Sequence, residues 1–143
     1  MSGFTRFSVA VAALAAAAAL GAPGARAAGG DDLRLECDAE GPNDISLHAR
    51  YEERTGGRLR FSAEFEAAPG GDFSEGQRMK VSVEGVNVGS VRLRTVAGGD
   101  VGGDLNLGDD SGKPFPDNFP TVDRGSRVRV RIDGERVLAC RLR

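Results

Sequence analysis

His48 is the only histidine in the chain, and Cys37 and Cys140 are its only cysteines, so any nucleophile–base chemistry has to be built from these three residues and the serines. An acyl-transfer site needs a nucleophile within hydrogen-bond reach of a base and a third group that orients the base. No nucleophile elbow accompanies His48, which lies on the polar side of an alternating segment. The cysteines serve better as a disulfide than as nucleophiles. One histidine is also too few for a histidine-rich zinc or copper centre. The residue list therefore points away from an enzyme, and no catalytic residue or cofactor is assigned.

Two other groups of residues have a type and spacing that suit binding. Asp100, Asp104, Asp109, Asp110, Asp117 and Asp123 cluster in the second half of the chain, and hard oxygen donors on loops suit Ca²⁺. Asp104, Asp109 and Asp110 are the candidates. The spacing Asp104-x-Asn106-x-Gly108-Asp109 echoes a calcium loop, but its twelfth position is Phe115 where a bidentate glutamate belongs. The arginines make the second group. Arg58 and Arg60, Arg92 and Arg94, then Arg127, Arg129 and Arg131 with Arg136, Arg141 and Arg143 fall on the outward parity of their segments. Rows of this kind on adjacent strands would form a patch for an anionic polysaccharide, with Arg127, Arg129 and Arg131 at its centre. The competing reading makes them edge guards and cross-strand partners of Glu64, Glu66 and Glu84. Nucleic acid is the poorer polyanion, because acidic residues outnumber basic ones and no aromatics interleave with the arginines.

A third candidate is the proline-rich stretch 113–120, Lys-Pro-Phe-Pro-Asp-Asn-Phe-Pro. Phe115 and Phe119 either plug one end of the fold or offer an apolar rim to a ligand or partner. Tryptophan is absent and Tyr51 is the one tyrosine, which weakens a sugar-stacking platform.

The elements that must position these residues are strands. Residues 1–27 read as a secretory signal: Arg6, an apolar run over 9–20, then Ala25-Arg26-Ala27 as a small-x-small cleavage pattern. The apolar run is short for a membrane span, and no transmembrane segment is expected. Residues 28–143 then form one domain, periplasmic or extracellular, and loss of Arg6 and Arg26 leaves it with a net charge of −4. In an oxidising compartment Cys37 and Cys140 should pair, tying the first strand to the last.

Period-two alternation recurs along the domain. Leu35 and Cys37, then Ile45, Leu47, Ala49 and Tyr51, then Phe61, Ala63 and Phe65 alternate with polar residues and are separated by glycine-bearing turns. Met79, Val81 and Val83 lead into Glu84-Gly85 and a return strand, so residues 77–95 form a hairpin at the centre of the fold. Its parity slips near Gly89, which predicts a β-bulge there. Val128, Val130 and Ile132 open a closing hairpin through Asp133-Gly134. The even parity of Leu138, Cys140 and Leu142 favours a three-residue Ile132-Asp133-Gly134 loop over a two-residue turn. With no helical period in the domain, the expectation is an all-β protein. It should be an antiparallel β-sandwich, immunoglobulin-like or similar, of about eight short strands.

From residue 81 onward, the frame V-x-V-E-G-V-x-V-G, a following L-x-L, and F-P-T-V-D-R-G-S-R-V-R-V resemble uncharacterised small secreted bacterial β-sandwich domains. The resemblance covers about half of the domain. It implies the sandwich and brings no site residues. The expected function is an exported, non-enzymatic binding or structural module of the cell envelope. The alternative within that class is a Ca²⁺- or anionic-polysaccharide-binding domain.

Overall fold

A computed structural model describes residues 32–143; the signal reading of 1–27 lies outside the described residues. The chain forms nine strands: β1 (Leu33–Gly41), β2 (Ile45–Arg54), β3 (Arg58–Ala67), β4 (Arg78–Val83), β5 (Val86–Arg92), β6 (Arg94–Thr95), β7 (Val101–Gly108), β8 (Arg127–Ile132) and β9 (Glu135–Arg141). All pairings are antiparallel. They make a five-stranded sheet in the order β1-β2-β3-β7-β6 and a four-stranded sheet in the order β5-β4-β8-β9. The ninth strand, absent from the expected eight, is β6, whose two residues are too few to carry an alternation pattern.

The alternation places Leu35, Leu47, Phe61, Phe65 and Leu105 of one sheet against Met79, Val81, Val83, Val128 and Val130 of the other, all of them buried. A one-residue slip in any strand would turn its apolar set outward, so burial holds the register. Gly89 lets the two sheets approach closely: a Cβ there would lie 2.8 Å from Leu105 Cδ1. The bulge lies beside it, since Val81 pairs with Gly89 and Ser82 with Asn87, leaving Val88 as the extra residue.

The four-stranded sheet contains an internal repeat. Residues 73–94 correspond to 122–143 at a constant offset of 49, with Gly76/Gly125, Arg78/Arg127, Val81/Val130, Gly85/Gly134, Val88/Val137, Arg92/Arg141, Leu93/Leu142 and Arg94/Arg143 identical. The backbone follows the same rule. Gly76 N–H donates to Leu93 O and Gly125 N–H to Leu142 O, while Leu93 N–H donates to Gln77 O and Leu142 N–H to Ser126 O. Arg92 Nη1 donates to Gly76 O at 2.8 Å, and Arg141 Nη1 to Gly125 O at 2.9 Å. The two hairpins meet through β4 and β8, where Met79, Val81 and Val83 stand opposite Ile132, Val130 and Val128. Equivalent residues Val81 and Val130 thus face each other, and a local two-fold axis passes between them.

The repeat corrects the closing hairpin. Ile132 pairs with Glu135, so the connection is the two-residue turn Asp133-Gly134, with φ of 49° and 94°. Arg131 pairs with Arg136 and Val130 with Leu138, leaving Val137 as a bulge. That extra residue restores the inward parity of Leu138 and Cys140, which a plain two-residue hairpin would have lost. Glu84-Gly85, with φ of 47° and 83°, and the bulge at Val88 repeat the device.

Both hairpins also end alike, by crossing to the five-stranded sheet. Arg94 pairs with Gly102 on the β7 side, and its equivalent Arg143 exchanges two backbone hydrogen bonds with Glu36 of β1. The expected disulfide is present beside this second crossing, joining Cys37 of β1 to Cys140 of β9. The 77–95 hairpin is less central than expected, because β4 lies inside its sheet but β5 is an edge.

Candidate functional site

The outer face of the four-stranded sheet carries the arginines. Side chains of odd and even parity alternate across a strand, and the even positions of β4 and odd positions of β8 point away from the core. Across the sheet the outward rows read Arg92–Arg78, then Ser90–Lys80–Arg131–Arg136, then Asn87–Ser82–Arg129–Ala139, then Arg127–Arg141. Eight cations share this face. No aromatic side chain stands among them.

Four pairs in these rows are like-charged and directly cross-strand: Arg78 with Arg92, Lys80 with Arg131, Arg131 with Arg136, and Arg127 with Arg141. Such pairs destabilise a sheet by a few tenths of a kcal/mol each, about as much as opposite charges stabilise it. Among the described residues the ion pairs formed by arginines involve Arg34, Arg50, Arg54 and Arg94, all outside this face. The acids on these strands and their turns are Glu84, Asp133 and Glu135, and the first two accept backbone N–H groups: Arg127 N–H donates to Glu84 Oε1, and Arg78 N–H to Asp133 Oδ1 at 3.0 Å.

The topology sorts the arginines without choosing one reading for all of them: Arg92 on β5 and Arg136 and Arg141 on β9 lie on edge strands, as edge guards would. Arg127, Arg129 and Arg131 lie on β8, an interior strand, so they guard no edge. Glu64 and Glu66, their supposed partners, lie on β3 in the other sheet. Arg58, Arg60 and Arg94 separate from the patch for the same reason, since they belong to the five-stranded sheet. Lys80 and Arg78 join it; the signal that could have placed them was the repeat, which aligns them with Arg129 and Arg127.

The outer face of the five-stranded sheet is also charged, and ion pairs cluster around Glu36. Glu36 accepts from Arg50 Nε at 2.6 Å and Arg34 Nη2 at 2.8 Å, and these two contacts hold its carboxyl below the usual range. His48 Nδ1 lies 2.7 Å from Asp38 Oδ1, and its Nε2 is 3.9 Å from Glu36. Among the described residues no hydroxyl or thiol hydrogen-bonds to this ring.

The aspartates do not converge. Asp104 faces outward on β7 and accepts from Arg94 Nη2 at 3.1 Å, while Asp109 and Asp110 are exposed in the turn that follows. Among the described residues no three His, Cys, Asp or Glu side chains are grouped to hold a metal ion. Phe119 packs edge-on against Phe61 with centroids 5.7 Å apart, and Phe115 packs on Phe119 at 4.5 Å. Both rings face the core and close the end of the sandwich near the Glu84 turn.

The opposite end stays open as a groove of about 500 Å³. Pro42, Ile45, Phe73 and Val137 form its apolar part, and Asp72, Asp133, Glu135 and Arg136 its mixed-charge rim. A smaller hollow of about 220 Å³ lies on the basic face itself, between Lys80, Ser82, Asn87, Arg129 and Arg131. The groove is larger, but its charges oppose one another, whereas every charge around the hollow has one sign.

Compared with models of known protein families, with curated proteins and with solved structures, the chain finds no match in any of the three.

Proposed function

We propose that the protein is an exported, non-enzymatic binding module that grips an anionic polysaccharide on the outer face of its four-stranded sheet. The observation that carries this reading is the set of eight cations on one face, none of them in an ion pair among the described residues, in a chain whose formal net charge is −2. Charge of this density is not a by-product of composition. It costs stability through four like-charged cross-strand pairs, and a bound polyanion would relieve that repulsion.

The face also argues for a carbohydrate polymer over other polyanions. Strands about 4.8 Å apart and side chains about 7 Å apart along each strand give a regular lattice of charge, suited to a polymer with one anionic group per repeat. Without aromatics, the face has nothing on which bases would stack. Without large apolar side chains, it has nothing to bury in a lipid surface, and Leu33 on β1 is the exposed large hydrophobic residue of the described chain. The Cys37–Cys140 bond and the signal pattern in 1–27 support an exported setting.

Chromatography on an immobilised acidic polysaccharide tests this. The protein should be retained at low salt and released as ionic strength rises and screening shortens to about 8–10 Å. Arg129→Ala with Arg131→Ala should abolish retention, and Arg60→Ala on the other sheet should leave it intact. Flow-through of the unmodified protein at low salt would sink the reading.

A further inference from the structure

The hollow on the basic face lies where the internal repeat is broken. At the offset of 49, Arg131 and Arg136 of the second hairpin correspond to Ser82 and Asn87 of the first. Each of these is a cross-strand pair, Arg131 with Arg136 and Ser82 with Asn87. Two long cations on one side of the two-fold axis are thus replaced by two short polar side chains on the other. The space they vacate is the hollow of about 220 Å³, with Lys80 beside it on β4 and Arg129 and Arg131 across from it on β8.

Its lining is almost entirely donor. Lys80, Arg129 and Arg131 have no acceptor to offer. Asn87 has one, but its Oδ1 already receives the N–H of Gly89 at 3.3 Å, which leaves the amide NH₂ to donate. Ser82 makes no side-chain hydrogen bond within the described chain and has a hydroxyl proton to give. The polar side chains that line the hollow, Lys80, Ser82, Asn87, Arg129 and Arg131, can thus all donate, although Arg131 Nη1 also reaches Gly134 O at 3.4 Å. A planar carboxylate has two oxygens and would leave part of this set unmet. A sulfate or phosphate ester presents three terminal oxygens in a tetrahedral array and would engage all of it.

Resting on the polysaccharide reading above, we infer that the Ser82–Asn87 notch is a subsite for a tetrahedral oxyanion ester, sulfate or phosphate, carried by the polymer. The surrounding cations supply attraction to any polyanion, and the notch supplies the choice among them.

Three dextrans of matched length and degree of substitution separate these roles: dextran sulfate, dextran phosphate and carboxymethyl dextran, with affinities measured by calorimetry at one fixed salt. The unmodified protein should bind at least one ester dextran about tenfold more tightly than the carboxymethyl polymer, the size expected of one extra charge-assisted hydrogen bond. Which ester is preferred identifies the source of the anion. Ser82→Arg with Asn87→Arg installs the residues of the second hairpin, adds two positive charges and fills the notch. If charge alone governed selectivity, this variant would bind all three more tightly with the ester preference unchanged. The inference requires that the preference fall to about onefold despite the added charge. Asn87→Asp keeps the acceptor for Gly89 N–H and turns the donor into an anion, and it should also lose the preference. Equal affinities in the unmodified protein, or a preference that survives both variants, overturns the notch and leaves the polysaccharide reading standing. Failure of the unmodified protein to bind any of the three at low salt overturns both.

Discussion

Glu84 and Asp133 are related by the local two-fold of the four-stranded sheet, and each clamps the hairpin that contains the other. The Glu84 carboxylate receives the N–H of Arg127, which opens the second hairpin, and the Asp133 carboxylate receives the N–H of Arg78, which opens the first. The backbone repeats the exchange, with Glu84 N–H donating to Arg127 O and Asp133 N–H to Arg78 O. Both residues occupy positive φ, where a non-glycine residue is uncommon and aspartate is better tolerated than most. Their side chains thus compensate for the backbone they demand.

Replacing either clamp with alanine should lower stability by roughly 1–3 kcal/mol, the cost of leaving the left-handed position to alanine and losing an acceptor for a charge-assisted bond. Because the turns lie at opposite ends of the β4–β8 pair, the two losses should add in Glu84→Ala with Asp133→Ala. Urea unfolding of the two single variants and the double variant measures this. Strong non-additivity would mean that the clamps act as one unit.

The Cys37–Cys140 bond closes a loop with a sequence separation of 103 and ties the sheets together at the β1–β9 corner. The equivalent corner at β5 has Val91 in the place of Cys140 and is held by backbone pairing of β6 to β7 and by the Arg94–Asp104 ion pair. In the chain-entropy model a loop of this length is worth about 4–5 kcal/mol, a large share of the stability of a domain this size. Cys37→Ala with Cys140→Ala should lower the urea midpoint accordingly. A change under about 1 kcal/mol would mean that the Glu36–Arg143 backbone exchange already constrains the corner.

Strand alternation made most of this fold legible in advance, because a core between two sheets imposes period two on every strand that borders it. The disulfide was legible for the same reason, since both cysteines fall on inward parity. Alternation does not say which sheet a strand joins. Arg58, Arg60 and Arg94 therefore look in sequence like companions of Arg127, Arg129 and Arg131, though the structure puts them on the opposite face. Parity alone does not separate the two-residue Asp133-Gly134 turn from a three-residue loop, because the bulge at Val137 offsets the parity change and both leave the same pattern. The repeat is faint in sequence because eight of its 22 aligned pairs are identical and the other 14 differ, Ser82 against Arg131 and Asn87 against Arg136 among them.

Arg131 should show a trade between stability and binding. It stands between Lys80 and Arg136, like-charged on both sides. Arg131→Glu converts two repulsive cross-strand pairs into attractive ones, each worth roughly 0.2–1 kcal/mol, and should raise the melting temperature by a few degrees. The same change should abolish retention on an acidic polysaccharide. A variant that loses stability and keeps retention would place the function elsewhere on the molecule.

Tyr51 governs the alkaline limit of stability. Its side chain is buried on β2, and burial first, then the neighbouring charges of Glu53 and Asp123, raise its pKa above the ordinary 10.0. The folded state therefore holds its proton more tightly than the unfolded chain does, and the sign follows by linkage: the contribution is fully present below about pH 10 and is lost as pH rises through the folded value. At the acid end the sign reverses. Glu36, lowered by its hydrogen bonds from Arg34 and Arg50, and Asp32, lowered by Thr55, contribute stability above their ordinary values of 4.5 and 3.8 that is lost as pH falls through the folded values. Melting temperature against pH should be a plateau with both limbs falling. Tyr51→Phe should flatten the alkaline limb and leave the acid limb unchanged. An alkaline limb that persists in this variant would overturn the assignment to Tyr51.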